Sequence, residues 1–281
     1  MIEPIVNTKC LKQACDNLGI KYSILDEFGN WISVHLDRDY HFVNSMSAFN
    51  NDSIFYICKD KGFTSSFLSE ELKTPKTKSY LDPSCAPAYQ KYVKFDSTEK
   101  IVEDIQNTFE FPLMIKMNAG FQGQNVFACQ DKGEVKEAIE KIYNQNSRHY
   151  DKVLIAQEMI NIEREFRLIR FRNKTLLAYE KTTDHKLKLD PSPFKNEGSK
   201  AVIIDDIQLV ESLNNFLDKS KSLKQVEYCG ADLVIDDKGD IWLIELNTNA
   251  GFNYFVRDNG EEPLVKMYET ILKDLILKKN D

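Results

Sequence analysis

Two apolar runs near the C-terminus each carry an acidic residue, and these runs constrain the fold more than any other feature. The stretch ADLVIDDKGDIWLIELN, residues 231–247, predicts two β-strands joined by an Asp-Lys-Gly turn. In an antiparallel hairpin with this turn, Asp232 lies directly opposite Glu245, and Asn247 follows on the face of Glu245. Because burial of an unpaired carboxylate is costly, a positive group is expected between the two acids.

A divalent cation would satisfy these side chains. Mg²⁺ prefers oxygen ligands and commonly takes one or two carboxylates together with substrate phosphates. We therefore predict that Asp232, Glu245 and Asn247 are metal ligands, with a chance placement of the two acids as the alternative.

The composition narrows the class of protein. The chain has 281 residues, of which 42% are apolar, enough for a sizeable core and for two lobes. A net charge of −7 argues against nucleic acid as the main partner. We see no signal-peptide pattern and no run of about 18 apolar residues, so we expect no membrane partner. Six scattered cysteines without a CxxC pair indicate reduced thiols and a cytoplasmic location.

Helices and hairpins alternate along the chain. The sequence patterns predict helices over 7–19, 53–72, 96–109, 133–147, 206–219 and 261–278. They predict strands within 21–36, 111–129, 153–160, 165–184 and 231–247. Asp96 and Glu99 are expected to form a capping box for the third helix. This interleaving indicates an α+β fold and not a doubly wound parallel sheet.

A loop with two glycines follows the first of the central strands. In MIKMNAGFQGQNVF, Lys116 ends an apolar strand, and Gly120 and Gly123 lie in the connection to the next one. Backbone amides in such a loop approach phosphate oxygens closely, and a nearby lysine adds a positive charge. An ordinary hairpin is the alternative, because the segment matches neither a Walker loop nor GxGxxG.

The segment QEMINIEREFRLIRF has the composition of a hinge followed by a strand. Gln157 and Glu158 end one strand and Glu165 begins the next, so the backbone between them can bond a purine edge and Glu165 a ribose. A charged turn is the alternative. Arg167 shares a strand face with Glu165, where it can form an ion pair or hold an anion with two hydrogen bonds.

The order of these segments resembles that of ATP-grasp enzymes over roughly residues 53–278. The resemblance assigns phosphate contacts to Lys61, which follows Asp60, and to Lys116, with Gly120 and Gly123 in the covering loop. It assigns the adenine and ribose contacts to Gln157, Glu158, Ile160 and Glu165. It assigns the metal to Asp232, Glu245 and Asn247.

The resemblance implies two α+β lobes that hold a nucleotide between antiparallel sheets. Residues 1–52 would be a short substrate-side region and 53–281 the ATP-grasp module, divided into lobes over about 84–160 and about 161–281. Two features depart from the family pattern. Ala250 stands before Gly251 where a proline is usual, and the region before Lys61 is short.

The function that the resemblance implies is ATP-dependent ligation of a carboxylate to an amine through an acyl phosphate. Within the superfamily, the sequence looks nearest to ribosomal-protein glutamate ligases, cyanophycin synthetase and glutathione-forming ligases. The implied cofactors are ATP and Mg²⁺, with Mn²⁺ as a substitute. Arg167 and Lys181 would stabilise the reacting phosphate. A kinase, an inactive nucleotide-binding module and a non-nucleotide α+β binding protein are the alternatives.

The substrates follow less directly from the sequence. The expected partners are a small-molecule or peptide carboxylate and an amine, with a homodimer as a family-level expectation. Three lysines of the loop DHKLKLDPSPFK, namely Lys186, Lys188 and Lys195, would attract an acidic substrate or form a solvated charged loop. The identities of the acid and the amine stay open.

Overall fold

The computed structural model describes residues 4–120, 124–182 and 199–277. Gly123 and the three loop lysines named above lie outside these ranges. In the described residues, three antiparallel sheets combine with helices on their faces, which confirms the predicted α+β class. No described helix has both the length and the apolar character that crossing a membrane requires.

The N-terminal region is a helix followed by a three-stranded meander. Helix α1 (Val6–Leu18) ends at Gly19, the end of the predicted helix, where the φ of 65° is left-handed and is readily adopted by glycine. Strands β1 (Tyr22–Ile24) and β2 (Trp31–His35) form the predicted hairpin. A third strand, β3 (Asp39–Val43), was not predicted, and it pairs with β2.

The small lobe is a four-stranded sheet covered by two helices. Its strand order is β4-β7-β5-β6, and its bounds are β4 Thr77–Leu81, β5 Leu113–Met117, β6 Val126–Cys129, β7 Val153–Glu158, α4 Thr98–Thr108 and α5 Lys132–Ile142. The predicted Asp96 and Glu99 capping box is wrong. The cap is Ser97, because its extended backbone directs its Oγ to accept a hydrogen bond from the Lys100 amide. Asp96 instead pairs with the Lys100 side chain.

The large lobe is built on a five-stranded sheet with the order β10-β9-β8-β11-β12. Its bounds are β8 Ile162–Phe171, β9 Lys174–Thr182, β10 Lys200–Ile203, β11 Tyr228–Asp236 and β12 Ile241–Asn247. The predicted register is correct where it matters, because Asp232 pairs with Glu245. A bulge between Asp232 and Leu233 shifts the register by one residue toward the turn.

One face of the large sheet packs against three helices. These are α2 Asp52–Lys59, α3 Lys61–Leu68 and α6 Ile207–Leu217. The single helical stretch predicted over 53–72 is wrong, because the chain bends at Asp60. Asp60 is extended, its carboxylate accepts a hydrogen bond from the Phe63 amide, and it also receives one from the Asn118 side chain.

The opposite face of the large sheet is apolar over one half only. That half packs against the N-terminal meander, α1, α7 (Asn253–Asn259) and α8 (Glu262–Leu277), around buried side chains such as Ile169 and Tyr228. The other half carries charged side chains at the end of the sheet where β7 of the small lobe enters β8. The candidate site lies on this polar half.

Candidate functional site

The centre of the site is an ion pair between neighbouring strands. Arg167 on β8 lies directly opposite Asp232 on β11. Its Nε lies 2.6 Å from Asp232 Oδ1 and its Nη2 lies 2.6 Å from Asp232 Oδ2. The two side chains are only 16% and 5% exposed, so the pair is largely removed from water. A bidentate pair of this kind is the strongest hydrogen-bonded geometry that an arginine forms with a carboxylate.

Lys181 extends this pair into a chain of charges. Its Nζ lies 2.6 Å from Glu165 Oε1 and 3.1 Å from Asp232 Oδ1. Burial alone would raise the pKa of Asp232, but the positive charges of Arg167 and Lys181 outweigh it and hold that pKa well below its usual range. Asp232 is therefore ionised at neutral pH despite its burial.

Glu245 and Asn247 complete the polar half on β12. The Asn247 amide nitrogen donates to Glu245 Oε1 at 2.9 Å and to Asp232 Oδ2 at 3.2 Å. The register brings two carboxylates and one amide oxygen to one place, and these hard oxygen donors fit Mg²⁺. Within the described ranges, no group of three or more His, Cys, Asp or Glu side chains is placed to hold a metal ion. The predicted metal site therefore offers two carboxylates, from Asp232 and Glu245, together with the Asn247 amide oxygen.

Lys116 reaches the site from the small lobe. Its Nζ donates to Gln157 Oε1 at 2.7 Å, and Gln157 Nε2 donates to Thr77 Oγ1 at 2.9 Å. The pKa of Lys116 is lowered to about 8, chiefly by desolvation and also by the charge of nearby Lys61, while the charges of Glu245 and Glu165 partly oppose the shift. The two lobes thus bring lysines and acids within electrostatic reach of one another.

Lys61 lies at the first position of α3 and contacts the glycine loop. Its Nζ donates to the Gly120 carbonyl at 2.7 Å. Asn118, which sequence reasoning missed, joins the two segments: its Nδ2 donates to Asp60, and its Oδ1 accepts a hydrogen bond from the Gly62 amide at 3.0 Å. A Cβ on Gly62 would lie 2.3 Å from the Ser79 hydroxyl, so any larger residue would require that hydroxyl to rotate away. The Asn after Lys116-Met117 in the sequence was the available signal.

The hinge between the lobes runs from β7 to β8. Glu158 is held there by its backbone amide, which donates to the Lys76 carbonyl at 3.0 Å, and by its Oε1, which accepts from the Lys76 amide at 2.6 Å. Ile160 lies in the half-buried connection that follows. Of the predicted adenine residues, Gln157 and Glu158 end β7 and Ile160 lies in the connection, and the Gln157 side chain contacts Lys116.

The chain turns after the predicted metal ligands at Ala250 and Gly251. Ala250 is buried, and its carbonyl accepts a hydrogen bond from Asn7 Nδ2 at 2.9 Å. Gly251 is not among the described residues with positive φ. The contact with α1 holds this turn instead.

Comparison with known proteins gives a family match. A model of the RimK-like ATP-grasp domain matches residues 86–271, more than half of the chain. Uncharacterized protein MG012 of Mycoplasma genitalium is 23% identical over 250 residues, which cover 87% of this chain and 78% of that protein. Its homolog in Mycoplasma pneumoniae is 21% identical over 156 residues, covering 55% of this chain and 49% of that protein.

Solved structures share the fold. The D-alanine–D-alanine ligase of Bacillus anthracis, complexed with ATP, has a TM-score of 0.52 and 20% identity. The match covers 79% of this chain and 65% of that ligase, so the chain spans about two thirds of its length. A RiPP-associated ATP-grasp ligase of Chryseobacterium gregarium, in complex with ADP and a leader and core peptide, has a TM-score of 0.58 and 14% identity. That match covers 98% of this chain and 97% of the ligase.

Three observations agree on the family. They are the order of the lysines, the hinge and the acidic hairpin along the chain, the two sheets that carry these residues, and the match to the family model. The chain belongs to the RimK-like ATP-grasp family and has the α+β ATP-grasp fold of its ligases.

Proposed function

We propose that this protein joins a carboxylate to an amine with ATP, through an acyl phosphate, and releases ADP and phosphate. The observation that supports this function is the opposition of charged groups across the two lobes. Lys116 belongs to the small lobe and Lys61, at the start of α3, contacts the glycine loop of that lobe; Glu245 and Glu165 lie within electrostatic range on the large sheet. Such a fixed arrangement of charges suits a polyphosphate and a metal ion, and it needs little reorganisation during phosphoryl transfer.

Each predicted residue has a role in this function. Lys61 and Lys116 would hold the phosphates, and Gln157, Glu158 and Ile160 would line the adenine site. Glu165 would bind the ribose, in exchange for part of its present contact with Lys181.

Metal ions and cations would share the charge of the transferred group. Mg²⁺ or Mn²⁺, held at the Glu245 and Asn247 end of the acidic set, would neutralise phosphate oxygens when bound. Arg167 and Lys181 present fixed positive charge beside that position. They would stabilise the acyl phosphate and the oxyanion that forms when the amine attacks.

The reaction balances without a protein nucleophile. A carboxylate oxygen of the substrate bonds to the γ-phosphorus while the bond from that phosphorus to the ADP oxygen breaks. The amine nitrogen then bonds to the acyl carbon, and inorganic phosphate and one proton leave. Closure of the lobes around this site would exclude water, which otherwise hydrolyses the acyl phosphate.

An amino acid or a peptide is the proposed carboxylate substrate. The Chryseobacterium gregarium ligase, which is matched along almost its whole length, was solved with a leader and core peptide. The family also supports an amide-forming reaction in general. A cytoplasmic location, a homodimer and the predicted domain boundaries stay predictions.

Two measurements test this function. Millimolar Mg·ATP should raise the melting temperature of the wild-type protein, because a ligand that binds the native state stabilises it. Lys116→Met should lose most of that shift, whereas Lys238→Met, in the distant β11–β12 turn, should retain it. The absence of any shift in the wild type would exclude every ATP-based function.

The second measurement distinguishes a ligase from a kinase. Hydroxylamine added to ATP and pools of amino acids or peptides should give a hydroxamate only when a carboxylate is present. ADP release that accompanies a phosphorylated alcohol, without hydroxamate, would instead establish a kinase.

A further inference from the structure

The outer face of the N-terminal meander carries a row of polar side chains from its three strands. His35 of β2 lies directly opposite Asp39 of β3, and Ser23 of β1 lies on the other side of His35. The alternate residues of β2, Ile32 and Val34, belong to the core that the meander shares with the large sheet. Because successive side chains of a strand point to opposite faces, the polar row lies on the face away from that core and outside the ATP site.

Two hydrogen bonds connect this row. Ser23 Oγ lies 2.8 Å from His35 Nε2, and His35 Nδ1 lies 2.7 Å from Asp39 Oδ1. Because a carboxylate oxygen accepts, Nδ1 donates, and in the neutral imidazole Nε2 then accepts from the Ser23 hydroxyl. The row therefore has the arrangement of a nucleophile, a general base and a residue that fixes the tautomer of the base.

Ser33 provides a second, independent observation at the same place. It pairs directly with Ser23 in the β1–β2 register, which puts the two Cβ atoms about 5 Å apart on one face. Ser33 is only 2% exposed, and its Oγ has no hydrogen-bond partner among the described residues. A buried hydroxyl without a partner is unfavourable, so this donor is free for an oxygen that arrives beside Ser23. Such a donor is what a developing oxyanion requires.

Apolar side chains continue the same face beside Ser33. Trp31 lies two residues before Ser33 on β2 and pairs with Val43 of β3, and these two side chains are 41% and 36% exposed. An apolar group can rest on them while the carbonyl carbon attached to it lies at Ser23. Because Ser33 is enclosed by its neighbours, a substrate oxygen reaches it only when a neighbouring side chain such as Trp31 turns aside.

We propose that the outer face of the meander is a second catalytic site, which hydrolyses carboxylic esters that have an apolar acyl group. Ser23 is the nucleophile, His35 is the general base, and Asp39 orients the imidazole. Ser33 donates a hydrogen bond to the oxyanion. This activity needs neither ATP nor a metal ion and goes beyond the ligase function proposed above.

The reaction has two steps, and both use the same proton path. Ser23 Oγ bonds to the carbonyl carbon, its proton passes to His35 Nε2, and the carbonyl electron pair moves to the oxygen that Ser33 contacts. The bond from that carbon to the alcohol oxygen then breaks, and the alcohol leaves with the proton from Nε2. Water attacks the acyl-serine in the same way, so the acid leaves and Ser23 regains its proton.

Covalent labelling tests the nucleophile. The full chain is treated with a fluorophosphonate probe, which reacts with activated serines, and the labelled peptide is located by mass spectrometry. Label is expected on Ser23, and His35→Gln should slow labelling by about 10². His149→Gln removes a histidine of the small lobe, which contacts Gln124, and is the matched control that should keep the wild-type rate. No label, or label on another serine alone, would overturn the proposal.

Hydrolysis of p-nitrophenyl butyrate tests the other roles. Ser23→Ala should abolish the activity, and Asp39→Asn should reduce it by about tenfold or more, because the tautomer of His35 is no longer fixed. Ser33→Ala should reduce the rate by about tenfold or more without lowering the melting temperature, since it removes a hydroxyl that has no partner. A Ser23→Ala protein with the wild-type rate would overturn the site, and a Ser33→Ala protein with that rate would overturn the oxyanion assignment. If Ser33→Ala does not fold, Ser23→Ala decides alone.

The ester hydrolysis and the ligase function can fail separately. Lys116→Met, which should lose the thermal shift with Mg·ATP, should hydrolyse the ester at the wild-type rate. Ser23→Ala should keep that thermal shift. Loss of ester hydrolysis in Lys116→Met would mean that the activity belongs to the ATP site and would overturn the second site.

Discussion

The two faces of β8 carry two arginines with different surroundings, Arg167 mostly buried and Arg170 fully buried. Arg167 faces the polar half of the site and binds Asp232, which is only 5% exposed. Arg170, three residues later on the opposite face, binds Asp218, which is 48% exposed, and the Asn173 carbonyl. One Arg170 nitrogen, Nη1, has no hydrogen-bond partner among the described residues.

The difference separates a functional arrangement of charges from a structural one. Arg167 belongs to a set in which acids and bases alternate through Lys181 and Glu165. Arg170 lies at the end of the β8–β9 hairpin and binds one carboxylate, that of Asp218 at the end of α6, which water can reach. Burial of a single arginine is therefore not by itself a sign of a functional site. A cluster of buried charges that pair with one another is a better sign of one.

The largest expected difference between the two faces is in stability. Arg167→Met should lower the free energy of unfolding by about 3–5 kcal/mol, because it leaves a buried carboxylate without its partner. Arg170→Met should cost less, about 1 kcal/mol or under, because Asp218 can rehydrate and Met fills an apolar space. Urea unfolding of both variants measures the difference. Equal losses would show that the surroundings of the two arginines do not matter.

The next effect is on catalysis. Glu245→Gln should reduce the rate of hydroxamate formation by about 10²–10³, because a charge that stabilises the transferred phosphate is lost from a preorganised site. Its melting temperature should stay close to that of the wild type. Asp218→Asn, on the other face, should leave the rate unchanged. A Glu245→Gln protein with the wild-type rate would remove Glu245 from the site.

A smaller effect is the pH dependence of nucleotide binding. Lys116 has a pKa of about 8, so its positive charge is present at pH 7 and mostly lost at pH 9. ATP affinity should therefore fall by up to about tenfold over that range. Lys116→Arg should remove this dependence, because arginine does not titrate there. Calorimetric titrations at several pH values measure it, and a flat wild-type profile would contradict it.

The same shift changes the stability of the free protein with the opposite sign. The folded-state pKa of Lys116 is below that of an unfolded lysine, so above about pH 8 the unfolded chain binds more protons than the folded one. The contribution of Lys116 to the free energy of unfolding should therefore rise between about pH 8 and 10.5. Urea unfolding of wild type and Lys116→Arg over this range isolates that contribution.

The smallest expected effect is the change in stability when the half-exposed carboxylate of Asp218 is removed. Asp218→Asn should change the free energy of unfolding by less than about 1 kcal/mol, because solvent screens its ion pair with Arg170. Added salt should reduce even this difference. Urea unfolding at two ionic strengths measures this difference. A larger loss that does not depend on salt would mean that solvent screens the Arg170–Asp218 pair no better than the Arg167–Asp232 pair.

Local features of the fold were predictable because neighbouring residues decide them. The Asp-Lys-Gly turn fixed the pairing of Asp232 with Glu245, and Gly19 fixed the end of α1. Boundaries that depend on distant partners were not predictable. The bend at Asp60 divides α2 from α3 because Asn118, from the small lobe, bonds to its carboxylate.

The sequence by itself determined the family, the order of the charged segments and the hairpin that places two acids together. Only the tertiary structure decided which charge each acid meets. Strand β11 pairs with β8, which lies about sixty residues earlier, and that pairing puts Arg167 against Asp232. Turn chemistry acts over a few residues, whereas the choice of neighbour for a central strand depends on packing of the whole sheet. For that reason the sequence predicted Asp232, Glu245 and Arg167 as site residues, but not that Arg167 pairs with Asp232.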